Sequence, residues 1–529
     1  MKRFFAEFSR RFTGGEAALA AQPILAGYRR TIAPGWRIVV LFALAFGAFA
    51  YGLAFGYMAP ARMMPLIAPI ALMCGLVIWA LPAGDYAPTQ VLEPIFMAFF
   101  AALVLWPNYL AIALPSLPWL TLLRIIGVPL IAVLLICISV SSVFRARLWE
   151  VLTTDKAIFW LFVGVVVMQT ITLPLSRDPG GSLNRWIIAQ VNWTAIFVVA
   201  CVVFMRPGFA EYWVRVLLAM LFLLCAFGFW ESRLSHVPWA GQIPSFLKIE
   251  DESVQRILTG AARAATGVYR VQGPATTSLG FAELLGLAIP FAMHLALDRY
   301  GLLSRLTGAI FIPVAVWMIL LTDSRLGVVA ALASVMFYLL IWALLRWRQH
   351  QRSIFGPAVV IAYPLIFTAF VAATFLVGRL RAQVWGDGSQ QASTESRFEQ
   401  WDMGLPKVAR NPIGHGVGQG ADVLGFTNAA GVITIDSYFL SILLEIGVVG
   451  FLVYFGLFLR GIWTATTTVV ESQGDQEVRL LLPIAVSLIN YVIVKSVLSQ
   501  DANHPLVFMM LGAVVALTYR ARKLMEQPA

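Results

Sequence analysis

Three arginines are the residues of this sequence best suited to chemistry, because each lies beside a turn at the end of an apolar stretch. Arg270 precedes a Gly-Pro pair, Arg325 lies in a Thr-Asp-Ser-Arg-Leu-Gly turn, and Arg397 lies in Glu-Ser-Arg-Phe-Glu-Gln-Trp. A guanidinium group can give two parallel hydrogen bonds to phosphate oxygens, and several together stabilise a departing diphosphate. The set predicts a diphosphate site. The alternative is three unrelated salt bridges or lipid headgroup contacts.

Acid–base chemistry has two candidates. Asp436 directly precedes an apolar stretch and could be a general base if partly buried, since burial raises the pKa of a carboxyl group. The alternative role for Asp436 is an ordinary helix N-cap. His415, the reserve base, lies in a glycine-rich run over residues 411–420. No βαβ pattern surrounds this run, so we interpret it as a flexible turn that lets backbone approach a ligand.

Further polar and aromatic residues are candidates for lining a substrate cavity. Glu283 and Lys495 are charges inside apolar stretches, and they could simply pair. The four cysteines show no metal-ligand spacing with one another or with His, so we expect no metal. The cavity candidates are Gln272, Glu283, Trp401, Tyr438 and His504.

The elements that carry these residues are membrane helices. Of 529 residues, 60% are hydrophobic and only 12% are charged, which a water-soluble fold could not accommodate. The net charge of +11 is explained by basic cytoplasmic turns, and nucleic-acid binding is not expected because the basic residues form no continuous stripe. Stretches of roughly 20 apolar residues predict about 14 spans. These lie near 38–57, 64–83, 91–113, 118–143, 157–174, 187–205, 213–230, 276–297, 307–322, 326–345, 356–377, 437–459, 481–499 and 504–519.

Basic residues fall in alternate turns, which predicts cytoplasmic termini and places the three arginines on the opposite face. The long connections 231–275 and 378–436 then lie outside the cytoplasm, where function tends to reside. In the first, Val254, Ile257, Leu258 and Ala261 predict a helix on the membrane. In the second, Ser393 or Thr394 is expected to cap a short helix with Phe398, Trp401 and Leu405 on one face. Residues 1–36 predict an amphipathic segment or a disordered basic tail.

Taken in order, these motifs resemble the bacterial O-antigen ligase and polysaccharide polymerase family. The resemblance covers about residues 265–460, from the Arg270 motif through Arg325, Arg397, the glycine-rich run and Asp436-Ser437-Tyr438 to Leu444–Gly450. It implies an all-α membrane fold like that of other polytopic glycosyltransferases. It also implies metal-independent, inverting glycosyl transfer at the periplasmic face from an undecaprenyl-diphosphate-linked glycan. In such enzymes, arginines at matching positions hold the diphosphate, which carries over to Arg270, Arg325 and Arg397.

One departure from the family pattern bears on the reaction. Ligases usually carry His-Asn where this chain has Asp436-Ser437. Polymerases vary more there, so the resemblance favours an O-antigen or exopolysaccharide polymerase in the inner membrane, with a ligase as the alternative. A transporter or flippase is a further alternative, although we find no internal symmetry. Expected partners are the lipid-linked glycan, membrane lipids and a chain-length regulator; no cofactor is expected. The expected regions are 1–36 (cytoplasmic), 37–264 (N-terminal bundle), 265–460 (catalytic) and 461–529 (C-terminal helices and tail).

Overall fold

The computed structural model describes residues 63–526 and a few positions between 39 and 49. Within 63–526 the gaps are 85, 114–119, 250–257, 259–266, 299, 350–353, 379–380, 382–384, 386–390, 429–430 and 473–474. The expected N-terminal segment 1–36 lies outside the described residues. So does the helix expected over 254–261, except for Leu258, which is buried and helical.

The protein is an all-α membrane protein, as predicted. Eleven helical segments of the described residues are long and apolar enough to cross a bilayer. One of them joins α6 and α7 through the π-turn Gln190–Thr194, and two others include a 3-10 turn, Leu173–Leu175 after α5 and Val478–Leu480 before α16. These spans are α3 (Leu122–Val140), α5 (Lys156–Thr172), α6 (Pro179–Ala189) with α7 (Ala195–Val203), α8 (Phe209–Leu234), α9 (Ser278–Leu297), α10 (Leu302–Leu321), α11 (Arg325–Gln349), α12 (Phe355–Leu376), α15 (Tyr438–Glu471), α16 (Leu481–Lys495) and α17 (His504–Glu526).

Two shorter apolar helices coincide with the second and third predicted spans. They are α1 (Met63–Trp79) and α2 (Thr89–Leu105), each of 17 residues. The first predicted span, near 38–57, falls largely outside the described residues. Three other helices are not candidate spans: α4 (Ser142–Leu152), α13 (Gln391–Arg410) and α14 (Gly420–Leu424). A small antiparallel sheet has the strand order β2-β1-β3, with β1 at Leu110–Ile112, β2 at Leu120–Thr121 and β3 at Leu247–Ile249.

The chain divides into two compact units. One comprises residues 1–89 and 133–147; within it, the Gly84 amide donates to the Val140 carbonyl at 3.0 Å. The other comprises residues 90–132 and 148–529 and contains every candidate site residue.

Three helices form the centre of the larger unit. In α9 and α17, 89% and 94% of the membrane-length segment is buried, against 6% in α12, so α12 presents nearly all of its surface outwards. The third central helix is α16, which packs against α9, α11, α15 and α17. Small residues permit the close approach: a Cβ on Gly512 of α17 would lie 2.5 Å from the Ala200 Cβ of α7.

Charged contacts hold together the turns at one end of the larger unit. Arg479 pairs with Asp298 at 2.6 Å, and Glu477 pairs with Arg520 at 2.8 Å. The Glu477 carboxylate also accepts the amides of Gly208 and Ala210, at 2.8 and 3.0 Å, which caps the start of α8. The turns after α7, α9 and α15 therefore meet at one end, as alternating spans require.

Candidate functional site

Arg270 lies in a segment that a buried carboxylate organises. Glu231, near the end of α8, accepts the Tyr269 hydroxyl at 2.7 Å and the amides of Gln272 and Gly273 at 2.9 Å each. Burial, then the charge of Glu231, raises the pKa of Tyr269, so this hydroxyl stays protonated and donates. The sequence analysis missed this role of Glu231, although its signal was an acidic residue at the end of an apolar span.

The side chain of Arg270 binds the turn that carries Arg325. The Arg270 Nε donates to the Thr322 carbonyl at 2.8 Å, at the C-terminus of α10. Asp323 adopts a left-handed φ of 46°, and α11 begins at Arg325 two residues later. The predicted tight turn is therefore present, and it brings the segments carrying Arg270 and Arg325 together.

Asp436 lies in a second group with Arg397. The Arg397 Nε is 3.9 Å from the Asp436 Oδ2, and the Asp436 amide donates to the Gln400 Oε1 at 2.8 Å. The side chain that caps α15 belongs to Ser437, which accepts the amide of Leu440, so the N-cap interpretation of Asp436 is wrong. Burial raises the pKa of Asp436, and Arg397 and Gln400 oppose that rise. The Asp436 carboxyl group therefore has a raised pKa and does not cap α15.

The helix that presents Arg397 begins at Gln391, so Ser393 and Thr394 lie inside it and the predicted cap is wrong. Phe398 and Leu405 are exposed by 67% and 50%, whereas Gln400 and Val408 are buried. Trp401 packs against the hydrophobic cluster of Val408, Leu424, Ile435, Leu440 and Leu444. Phe398, Trp401 and Leu405 share one face of this helix, as predicted, but the close approach to α15 buries the face of Gln400, Gly404 and Val408.

The loop over residues 496–503 joins the two arginine groups. Its Ser499 hydroxyl donates to the Ile435 carbonyl at 2.5 Å, next to Asp436. The Thr277 hydroxyl donates to the Gln500 Oε1 at 2.6 Å, at the start of α9. Leu498 packs in one cluster with Leu326, the neighbour of Arg325. All three arginines and Asp436 thus belong to segments held at the same end of the bundle.

The glycine-rich run packs on a broken helix. At Gly447 the backbone of α15 leaves helical geometry, with φ 74° and ψ −175°. The Val448 amide then donates to the Pro412 carbonyl at 2.9 Å, and the His415 amide donates to the Leu444 carbonyl at 2.9 Å. A Cβ on Gly447 would lie 2.2 Å from the Pro412 oxygen, so glycine is required there. The close backbone approach that we predicted is made to α15.

His415 is held by this arrangement. Its Nδ1 lies 3.0 Å from the Leu444 carbonyl oxygen, in addition to the backbone bond. Beside it lie two residues that the sequence analysis did not select: Glu445, which accepts the Ser441 hydroxyl at 2.8 Å, and Arg185, whose side chain would meet a Cβ on Gly418. Arg185 is an exposed guanidinium at the same end of the bundle as the three predicted arginines. In the sequence, Arg185 could have been selected as an arginine next to the start of the predicted span near 187–205.

The intramembrane charges pair, as the sequence analysis allowed. The Lys495 Nζ is 2.8 Å from the Glu283 Oε1, and both side chains are almost fully buried. The side-chain amide of Asn503 donates to the Glu283 Oε2 at 2.9 Å. Tyr438 and His504 lie in the same region, with ring centroids 4.8 Å apart. Glu283, Lys495, Tyr438 and His504 are buried in the packed core. They are near the site only because they lie next to the loop 496–503.

Gln272 is buried beside Arg270. Its amide oxygen and nitrogen find no hydrogen-bond partner. No group of three His, Cys, Asp or Glu side chains in the described parts of the chain is arranged as metal ligands. Metal-independent chemistry stays a prediction.

One comparison with known proteins identifies a family. Residues 309–455 match the family model described as O-antigen ligase. The match begins within α10 and ends within α15, so it includes Arg325, Arg397, His415 and Asp436 but not Arg270. No curated protein matches the chain. The chain is thus a multi-pass membrane protein in which residues 309–455 match the O-antigen ligase family.

Proposed function

We propose that the protein is an inner-membrane polysaccharide polymerase that joins undecaprenyl-diphosphate-linked repeat units at the periplasmic face. The family match supports glycosyl transfer of the ligase or polymerase type. The observation that carries the finer proposal is the pair formed by Asp436 and Arg397 at the start of α15, 3.9 Å apart. It puts a candidate base beside a candidate phosphate ligand.

The donor site is built from guanidinium groups of three segments. Arg325 would hold the diphosphate from the turn after α10, Arg270 from the segment before α9 that binds this turn, and Arg397 from α13. Each guanidinium remains charged at all relevant pH values and can bind two oxygens at once. Together they would neutralise the charge that grows on the departing diphosphate, without a metal ion.

The bond changes are those of a single inverting displacement. The acceptor hydroxyl attacks the anomeric carbon of the donor glycan from the face opposite the diphosphate. As the new C–O bond forms, the bond between the anomeric carbon and the phosphate oxygen breaks, and undecaprenyl diphosphate leaves. Asp436 accepts the hydroxyl proton, which burial favours because it raises the pKa of this carboxyl group. His415 is the alternative base: with its Nδ1 held by the Leu444 carbonyl, its Nε2 would accept the proton, but it is Asp436 that lies beside Arg397.

The acid at position 436 is the reason for proposing a polymerase ahead of a ligase. The His-Asn pair that ligases of the family usually carry is Asp436-Ser437 here. Ser437 is occupied as the cap of α15, which leaves the neighbouring carboxylate as the group that faces Arg397. The alternative, a ligase that transfers the finished glycan to another acceptor, would use the same donor site.

The proposed orientation has both termini in the cytoplasm. Basic side chains that include Arg479 and Arg520 lie at the end where α7, α9 and α15 terminate, as the positive-inside rule requires of the cytoplasmic side. Arg270, Arg397 and Asp436 then lie on the periplasmic side.

The test is the glycan produced by cells that carry Asp436→Asn, Arg325→Ala or Arg397→Ala at normal protein levels. We expect single repeat units in place of long chains. Asp402→Asn and Arg410→Ala are matched controls, because both residues are exposed on α13, away from the Asp436 pair. The controls should leave chain length unchanged.

Three other outcomes are informative. Long chains that remain on the carrier lipid, and fail only to reach a second acceptor, would identify a ligase. Wild-type chains from both Asp436→Asn and Arg397→Ala would contradict the proposed site. Loss of repeat units from the periplasm itself would point to a flippase.

A further inference from the structure

An apolar cavity of about 570 Å³ lies at the end of the bundle that carries Arg270. It is enclosed by the ends of α2 and α8, the start of α3, the small sheet and the segment that leads into β3. The side chains that line it are almost all apolar, and Leu223, Phe227, Trp106, Trp239 and Phe246 are among them. Its size falls within the range of about 300–1,000 Å³ that small-molecule sites occupy.

The cavity is one helical turn from the segment that holds Arg270. Phe227 lines it, and Glu231 follows four residues later on the same face of α8. Glu231 binds the amides of Gln272 and Gly273. On the other side, the Trp239 indole donates to the Tyr109 hydroxyl at 2.9 Å, which fixes the rim. A cationic site and an apolar cavity are therefore neighbours.

We infer that the open side of the cavity faces the hydrocarbon of the membrane, because large apolar side chains are exposed there. Leu223 is 48% exposed and Phe246 is 63% exposed, although both line the cavity. Trp106 and Trp239 are aromatic residues of the kind that membrane proteins place at the level of the headgroups. A molecule that enters from the bilayer with an anionic head and a hydrocarbon tail matches both neighbours.

We propose that this cavity holds the head-proximal part of the polyprenyl chain of the donor while its diphosphate lies at Arg270. The proposal rests on the proposed function. A hydrocarbon chain gains little free energy in passing from lipid into an apolar protein cavity, because both surroundings are apolar. The cavity therefore acts by orientation: seating the first isoprene units fixes where the diphosphate meets the arginines.

The kinetic test uses the full-length protein in detergent with two donors that carry the same glycan diphosphate. One has an undecaprenyl tail and the other a butyl tail. Leu223→Trp fills the cavity from a half-exposed position, and Leu306→Trp is the matched control, because Leu306 is 49% exposed and does not line the cavity. We expect Leu223→Trp to lower kcat/KM for the undecaprenyl donor about tenfold or more, since displacing a reacting group by about 1 Å can cost on the order of 100-fold.

The butyl donor separates this effect from damage to the enzyme. It should react slowly with the wild type and equally slowly with Leu223→Trp, because its tail does not reach the cavity. An equal fall in kcat/KM for both donors, or an unchanged kcat/KM for the undecaprenyl donor, would overturn the proposal. The Leu306→Trp control should match the wild type with both.

A binding test works without turnover. Undecaprenyl phosphate with a photoreactive group on its first isoprene units should cross-link to the Trp239–Leu247 side of the cavity, and Leu223→Trp should abolish the cross-link. Cross-linking with no glycosyl transfer from any donor would support the cavity and contradict the proposed function. A cavity that retains a phospholipid and is never labelled by the polyprenyl probe would refute the present proposal.

Discussion

The buried pair of Lys495 and Glu283 makes a strong prediction about stability. The ammonium and carboxylate groups are 2.8 Å apart, with side-chain exposures of 0% and 1%. The ammonium group also donates to the Gln500 carbonyl and lies 5.4 Å from the ring centroid of Tyr491. The pair joins α16 to α9, two helices at the centre of the bundle.

Lys495→Met would leave the Glu283 carboxylate buried with Asn503 as its remaining polar partner. Breaking a buried ion pair in this way costs about 3–5 kcal/mol, because the desolvated charge is no longer compensated. Glu283→Gln should cost a similar amount by stranding the ammonium group. In the double variant no charge is left unpaired, so we expect it to be more stable than the sum of the single changes by roughly 2–3 kcal/mol.

The assay is reversible unfolding in mixed micelles, followed by tryptophan fluorescence for the wild type, both single variants and the double variant. The control is Arg215→Met, which removes a surface pair with Glu211 at 2.8 Å. Such i,i+4 pairs contribute about 0.3–0.5 kcal/mol. Strictly additive single changes, or a Lys495→Met variant as stable as the Arg215→Met control, would refute the assignment of a tightly coupled buried pair.

Four further predictions concern the site and the break in α15. Because burial raises the pKa of Asp436, transfer activity should increase as pH rises through that elevated value, and a pH–rate profile without this limb would contradict Asp436 as the base. The same pKa shift also affects stability: the contribution of Asp436 is fully present below its ordinary pKa and is lost as pH rises through the elevated pKa. Above the elevated pKa, Asp436→Asn should therefore be more stable than the wild type, as unfolding at two pH values would show. Arg397→Lys should lose activity nearly as fully as Arg397→Ala, about 100-fold in kcat, because lysine lacks the bidentate fork; near-wild-type initial rates would argue against phosphate binding. Gly447→Ala should destabilise the protein by at least about 1–3 kcal/mol, since its φ is 74° and a Cβ would meet the Pro412 oxygen, whereas Gly456→Ala in the same helix, whose Cβ would meet its neighbour at 3.6 Å, should be tolerated in a thermal unfolding assay.

The membrane fold was predictable because hydrocarbon imposes one rule on every span. An apolar stretch of fixed length must satisfy its backbone internally, so composition alone identifies helices such as α9 and α15. The turn that carries Arg325 was also readable, from Thr-Asp-Ser between two apolar stretches. The shared face of Phe398, Trp401 and Leu405 was predictable from their spacing, but the face of α13 that is buried was not, because burial there follows contact with α15 and not apolar character.

The sequence by itself determined that the chain crosses a membrane many times, which residues carry charge near the span ends, and which family its central region resembles. These properties depend on local composition and motif order. Tertiary structure alone decided that Ser437 caps α15 while Asp436 faces Arg397, that Glu231 organises the segment of Arg270, and that the glycine-rich run repairs the break at Gly447. Apart from the cap by Ser437, which is local, each is a contact between residues far apart in the chain, and the choice among possible partners depends on how the helices pack.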